Sequence, residues 1–374
     1  MKKTIIYITA ALLAASCIYP FNPDINTETG RDLVVDGKIV LGGTSTVSLS
    51  YIADLNRTKE SSIRPKGKAW IEDSAGNKYE SDNNALTDKI SINTTALPKG
   101  LQYRTVVSLD GDIYSSEWLD AEAPPVINRI FFEPDQNYVH VSVNVSVPES
   151  RSGYMGFSFE ECWEFHSDFI PEFVVNTQTW SYAPLMGTWK FYWCYMYDSS
   201  RQTSLVDYTL MENADNINVR IHSFPRTDNR NHRRYSILVN TFALSDYSFR
   251  YIKQAQDMSE LGGDLFSPDP GMLQGNFHCE TSPEKKVYGL SRACEVSSKR
   301  EYLDGIYLID VAPSEGSLVE VEKEAMPKYY FDLSYRPVKT VSQGENSFVG
   351  WGPMRCIDCT AAGGTQETPD FWKY

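Results

Sequence analysis

The chain has 374 residues, with 35 Lys and Arg against 49 Asp and Glu, a formal charge of −14. So acidic a body excludes a general binder of the nucleic-acid phosphate backbone, which needs clustered cations to displace counterions. At 41 % hydrophobic, 22 % charged and 13 % aromatic residues the composition is globular, excluding disordered and collagen-like classes, and the length suits two domains with separate cores.

The N-terminus comes first in the chain and says most about location. Lys2 and Lys3 precede an apolar run from Ile5 to Leu13, followed by Ala14, Ala15, Ser16 and Cys17. That run is too short to span a bilayer and reads as a secretory signal over residues 1–16. The small residues before Cys17 match a bacterial lipobox, in which the thiol receives diacylglycerol and the freed amine a further acyl chain; two or more chains anchor stably. The alternative is a cleaved signal with Cys17 an ordinary thiol. Residues 17–30 then form a tether. Cleavage removes both lysines and leaves 33 basic against 49 acidic residues, a charge of −16, so the body is not drawn flat onto anionic lipid. The expected location is the outer membrane, with the periplasmic or surface face left open because residues 18–24 lack an acidic cluster.

Residues 31–123 read as an immunoglobulin- or fibronectin-like β-sandwich. Short apolar or alternating runs cover Leu33 to Val40, Val47 to Ile52, Ala69 to Glu72, Tyr103 to Leu109 and Ile113 to Trp118, with no competing helical period. Asp110-Gly111 predicts a two-residue hairpin turn with positive φ at both positions. Leu97-Pro98 and Gly100 leading into Tyr103 have the spacing of a tyrosine corner. Ala123-Pro124-Pro125 then closes the domain.

Residues 126–374 read as a larger antiparallel β domain with one or two short helices. Val139 to Val147 alternates valine with polar residues, which puts His140 on the wet face as a solvated or cross-strand residue. Further strands are predicted over 154–165, 189–197, 203–210, 218–221, 235–243, 276–280, 287–296 and 307–311. Ser245 or Asp246 caps a predicted helix over 247–258, with Phe249, Ile252 and Ala255 on one side and Gly262-Gly263 as its stop.

Seven cysteines are present, Cys17 among them. The other six, Cys162, Cys194, Cys279, Cys294, Cys356 and Cys359, suit disulfides in an exported protein. Fifteen pairings are open; Cys279 with Cys294, flanking the Ser282-Pro283 turn, is the favoured one. Cys356-Ile-Asp-Cys359 lacks the second pair of a zinc ribbon and the strand-to-helix setting of a redox site, so it reads as structural.

Between Tyr154 and Tyr197, 15 of 44 residues are Phe, Trp or Tyr, against about one in ten elsewhere. Trp163, Trp180, Tyr182, Trp189, Tyr192 and Trp193 are candidate ligand or partner contacts, since Tyr and Trp combine contact area with a polar handle. The other reading is a sandwich core rich in aromatics. Glu160, Glu161 and Glu164 have the residue type of a glycosidase carboxylate pair, but neighbouring strand residues face opposite ways, so an acidic surface strand is expected. Arg226, Arg230, His232, Arg233 and Arg234 form a basic island, which needs no function as a solvated loop beside a strand; in the alternative, Arg230, Arg233 and Arg234 are candidate anion contacts. There is no HExxH, GxSxG, Walker loop or GxGxxG, and Ser282-Pro-Glu-Lys285 carries a proline where SxxK needs helix. The five histidines show no metal spacing. No enzyme, cofactor or metal is expected.

Several stretches resemble one family: Phe159-Glu-Glu-Cys-Trp-Glu-Phe165, Arg234 to Val239 with Leu244-Ser245, Gly262 to Pro270 into Gly275-Asn276, Gly289 with Lys299-Arg300, and Cys356 to Cys359 through Gly363-Gly364 to Pro369-Asp-Phe-Trp372. Together with the lipobox and Val34-Val35-Asp36-Gly37, they resemble the lipoproteins grouped as domain of unknown function 4249. The departures are Glu161-Cys162 for the family's glutamate-threonine, and Cys279 and Cys294, which suggest an added disulfide. The resemblance implies an outer-membrane lipoprotein of Bacteroidota beside a TonB-dependent receptor, assisting nutrient uptake, and implies no catalytic residues. The partners expected are the membrane through the lipid, that receptor and a small ligand (peptide, glycan or metal chelate). The alternative is a surface glycan-binding or adhesive module in which Trp180, Trp189 and Trp193 stack on sugar rings.

Overall fold

The computed structural model describes residues 32–52, 64–83, 85–147, 152–211, 216–260, 275–304, 317–344 and 346–372. Cys17, the signal segment, Gly262-Gly263 and the strand expected over 307–311 lie outside them. The described chain is mostly β.

The first sandwich contains β1 (Leu33–Leu41), β2 (Thr44–Tyr51), β3 (Lys68–Asp73), β4 (Lys78–Glu80), β5 (Lys89–Asn93), β6 (Gln102–Leu109), β7 (Asp112–Ser116) and β8 (Leu119–Asp120). One sheet holds β1, β2 and β5; the other holds β7, β6, β3 and β4, with β8 beside β6. Alternation puts Val35, Ile39, Val47, Ile71, Ile92 and Val107 between the sheets, all buried. Asp110 and Gly111 take φ of 52° and 88°, as the tight turn between β6 and β7 requires. The Tyr103 hydroxyl donates to the Pro98 carbonyl, closing the tyrosine corner.

The second sandwich follows with β9 (Val126–Pro134), β10 (Tyr138–Ser146), β11 (Tyr154–His166), β12 (Phe173–Asn176), β13 (Ser181–Pro184), β14 (Trp193–Ser199), β15 (Ser204–Asp207), β16 (Ile217–Pro225) and β17 (Arg234–Leu244). Sheet β16-β10-β9 packs on a sheet ordered β14-β11-β17, with β15 beside β11 and a later strand beyond β17. Val139, Val141, Val143 and Val145 of β10 point into this core with no exposure, while His140 bonds Ser223 across the strand pair at 2.8 Å and Asp135 at 2.8 Å. The connectivity repeats that of the first sandwich, three strands against four, so the larger domain is itself built around a fibronectin-like unit.

After β17 comes the helix α1 (Asp246–Glu260), whose start is capped as expected: the Ser248 N–H donates to the Ser245 hydroxyl at 3.2 Å. Then follow β18 (Phe277–Cys279), β19 (Val287–Tyr288), β20 (Ser291–Glu295), β21 (Ser297–Asp304), β22 (Val319–Glu320), β23 (Tyr335–Gln343) and β24 (Asn346–Pro353). Here the linear division at residue 123 fails. β18 pairs with β7, and β19 and β20 pair in parallel with β1, so the first sandwich is completed by chain that comes after most of the second. Of the later described strands, β21 alone pairs with β17. The run 287–296, expected as one strand, is broken at Gly289 (φ 110°), where a Cβ would sit 1.9 Å from the Val35 carbonyl oxygen. A Cβ on Gly275 would meet the Gly289 carbonyl oxygen at 1.6 Å. No side chain fits at either position, and Asn276 fixes the crossing by bonding the Ser291 N–H and carbonyl at 2.7 and 2.8 Å.

A third lobe combines the insert between β11 and β14 with the C-terminal segment. The hairpin β12-β13 lies against β23 of the sheet β22-β24-β23. Backbone bonds Glu172 N to Val338 O (2.6 Å), Phe169 N to Cys356 O (2.8 Å) and Cys359 N to Phe191 O (3.0 Å) join the two segments.

Candidate functional site

The aromatic segment divides between core and surface. Trp163 is buried in the second sandwich with its indole N–H on Asn229 at 2.9 Å. Trp180 and Tyr182 belong to the third lobe: Trp180 packs edge-on against Tyr330 and Phe331, and the Tyr182 hydroxyl accepts from the fully buried Trp351 at 2.9 Å. Trp189 donates to the Ile357 carbonyl. These four form structure, which leaves Trp193 as the accessible member of the three tryptophans proposed to stack on sugar.

Of the three glutamates Glu160 is exposed, as an acidic surface strand requires, but Glu161 and Glu164 overturn that expectation. Glu161 and Glu164 are 2 % and 3 % exposed. Both faces of β11 are covered, one by the opposing sheet and the other by the C-terminal tail, where Phe371 and Trp372 pack around Cys162 and Tyr195. Glu161 accepts from Arg230 Nη2 at 2.5 Å, Arg230 Nε at 3.1 Å and the Tyr235 hydroxyl at 2.8 Å, with His222 Nε2 at 3.3 Å. Burial alone would raise its pKa; His222 and Arg230 overcome that and hold it at about 2.

Two members of the basic island, Arg230 and Arg233, are therefore counter-charges for these acids rather than a free anion grip. Arg230 also bonds Asp228 at 3.1 Å and lies 4.1 Å over the Trp163 ring. Arg233 donates to Glu164 at 2.6 Å, and Arg234 pairs with Asp304 at 3.2 Å.

The cysteine pairing also differs. Cys194 of β14 bonds Cys359, across a sequence separation of 165. Cys162, Cys279, Cys294 and Cys356 are buried thiols. Cys279 and Cys294 do not face each other across a hairpin, because β18 and β20 join opposite sheets of the first sandwich. Cys356 does not pair within its CxxC; burial and then Asp168 push its thiol up to about 11, which keeps it protonated and unreactive. Peptide mapping of non-reduced protein is expected to recover Cys194 joined to Cys359, and removing that bond by Cys194→Ala/Cys359→Ala is expected to cost about 2–5 kcal/mol in urea unfolding. A recovered Cys279–Cys294 or Cys356–Cys359 peptide contradicts the pairing.

The groups that remain accessible gather at the end of β11. Trp193 is 37 % exposed and lies under the Arg233 guanidinium at 5.3 Å. Its ring meets Tyr192 at 5.4 Å and His166 at 5.0 Å, both edge-on, and His166 stacks on His232 at 4.1 Å and on Tyr192 at 4.9 Å. Of the residues expected to make contacts, this brings together Tyr192, Trp193 and Arg233. It adds His166 and His232, whose only signal in the sequence was their position beside the aromatic run and inside the basic island. The imidazoles are tied down: His232 Nδ1 accepts the His166 backbone N–H at 3.3 Å, and His166 Nδ1 lies 2.8 Å from the Ser167 carbonyl. Burial, then the neighbouring His166, lowers the His232 pKa to about 4, so its ring is neutral at pH 7. The patch can stack on a flat partner. Among the described residues no three His, Cys, Asp or Glu are grouped to hold a metal ion, and no helix is long and apolar enough to cross a membrane.

The family model described as Domain of unknown function (DUF4249) matches residues 18–300, about three quarters of the chain. The chain belongs to the DUF4249 family. The DUF4249 match stops before Cys356 to Trp372, although those residues carry the disulfide and the cap over Cys162. The DUF4249 chain is also similar to a two-domain fibronectin type-III segment from chicken tenascin, at 10 % identity and a TM-score of 0.17, covering 57 % of this chain and 91 % of that one. No curated protein matches it.

Proposed function

We propose that the protein is a non-enzymatic lipoprotein, anchored through Cys17 in the outer membrane, that assists a TonB-dependent receptor in nutrient uptake by docking on a partner through the patch around Trp193. The observation that carries the reading is that patch: an exposed tryptophan, a tyrosine and an arginine stacked together are the residue types that dominate protein interfaces. Phe191, Tyr197 and Phe331, 37 %, 52 % and 63 % exposed, add apolar surface to β14 and the third lobe. The histidines support binding over catalysis, because each Nδ1 is already engaged.

The test is co-isolation from detergent-solubilised outer membranes after palmitate labelling. Labelled protein is expected to bring down a barrel receptor, and Trp193→Ala, at an exposed position, to lose it while the melting curve stays unchanged. Absence of label, or absence of any barrel in the isolate, refutes the proposal.

A further inference from the structure

We propose that the cleft between the two sandwiches binds a small zwitterionic amino-carboxylate, such as a short peptide, with Arg292 and Arg201 taking the carboxylate and Asp36 taking the ammonium group. The cleft, of about 290 Å³, lies where α1 and the chain just before β15 meet the outer face of the β1-β20 pair. It is separate from the patch around Trp193 and does not depend on the reading given for it.

The argument starts from a like-charge pair. Lys38 and Arg292 stand opposite each other in the β1-β20 register, and like charges so placed destabilise a sheet. Both sit over the Phe242 ring, at 5.1 and 5.8 Å. Arg292 Nε is buried without a hydrogen-bond partner among the described residues, a costly condition that an incoming carboxylate relieves. Burial is the main cause that lowers the pKa of Lys38; the Arg292 charge acts in the same direction, while Cys294, Asp36 and Glu160 oppose it.

The rest of the lining narrows the ligand. Arg201 supplies a second guanidinium on the rim, and Ile252, Ala255 and Leu290 form an apolar wall suited to carbon. Asp36 in the same lining disfavours a dianion such as phosphate and favours a ligand that also carries an amine. Helix α1 holds the opening, since Gln256 Nε2 donates to the Thr203 carbonyl at 2.8 Å.

The experiment is calorimetric titration of the detergent-solubilised full chain with alanyl-alanine, its C-terminal amide, its N-acetyl form and inorganic phosphate. Alanyl-alanine is expected to bind one to one, the amide and the N-acetyl form at least tenfold more weakly, and phosphate not at all. Arg292→Gln is expected to lose at least tenfold in affinity. Arg201→Gln, at an exposed position, is expected to weaken binding severalfold with the melting temperature unchanged, which covers the case in which Arg292→Gln fails to fold. Arg64→Gln, on the far part of the first sandwich, leaves affinity unchanged. The proposal is overturned by no alanyl-alanine binding up to about 10 mM, by equal binding of the amide or of phosphate, or by wild-type affinity in Arg201→Gln.

Discussion

A fragment comprising residues 32–125 is expected not to fold, although it contains every strand that the sequence assigns to the first sandwich. It lacks β18, β19 and β20, and with them Phe277, Cys279 and Val287 of the first core. At about 1.5–3 kcal/mol for each large apolar side chain buried, that loss alone takes much of the 5–15 kcal/mol by which a domain is stable. The fragment would also bare the backbone edges of β1 and β7, which are paired in the whole chain and are templates for aggregation when open. Dispersed amide signals and a cooperative melt from this fragment alone would contradict the assignment of β18 to β20. Adding a peptide of residues 275–296 is expected to restore part of that dispersion.

The second large effect is centred on Glu161. Replacing it by Leu strands Arg230, whose side chain is 14 % exposed, with Asp228 and the more distant Asp198 as its remaining carboxylates, and is expected to cost about 3–5 kcal/mol. The double variant Glu161→Leu/Arg230→Met is expected to recover much of that loss, because removing both charges also removes their desolvation cost. The acid titration carries a sign. The folded pKa of Glu161 lies near 2, below its ordinary value of 4.5, so its contribution is complete above pH 4.5 and disappears as pH falls toward 2. A difference of this size corresponds to about 3 kcal/mol. Urea midpoints between pH 5 and pH 2.5 are therefore expected to fall more steeply for the wild type than for the double variant. Parallel slopes, or a Glu161→Leu midpoint equal to the wild type, would remove Glu161 from its role in the core.

What was legible in the sequence was local. The valine alternation of β10, the Asp110-Gly111 turn, the Tyr103 corner and the capped helix after Ser245 are each decided by residues within about ten positions of one another. Burial of Glu161 and Glu164 was not legible, since alternation tells which side chains share a face but not that both faces of β11 are covered. The cover on the second face comes from Trp372, far along the chain. Distance in sequence also hid the Cys194–Cys359 bond and the pairing of β1 with β20. The same holds for the candidate site: the aromatic enrichment marked the region, but whether Trp180 packs inside or Trp193 stays outside depends on the C-terminal segment that folds over the insert. Gly275 and Gly289 were visible as residues, while the reason for them is a backbone crossing that no local pattern encodes.

The position of β1 has a mechanical consequence. It is hydrogen-bonded on both sides, antiparallel to β2 and parallel to β19 and β20. A load applied ahead of Leu33 acts along the strand, so the rungs on both sides are sheared together rather than unzipped one at a time. Such a load is thus met by a strand held on both sides, and through β20 it passes directly to β21 and the second sandwich.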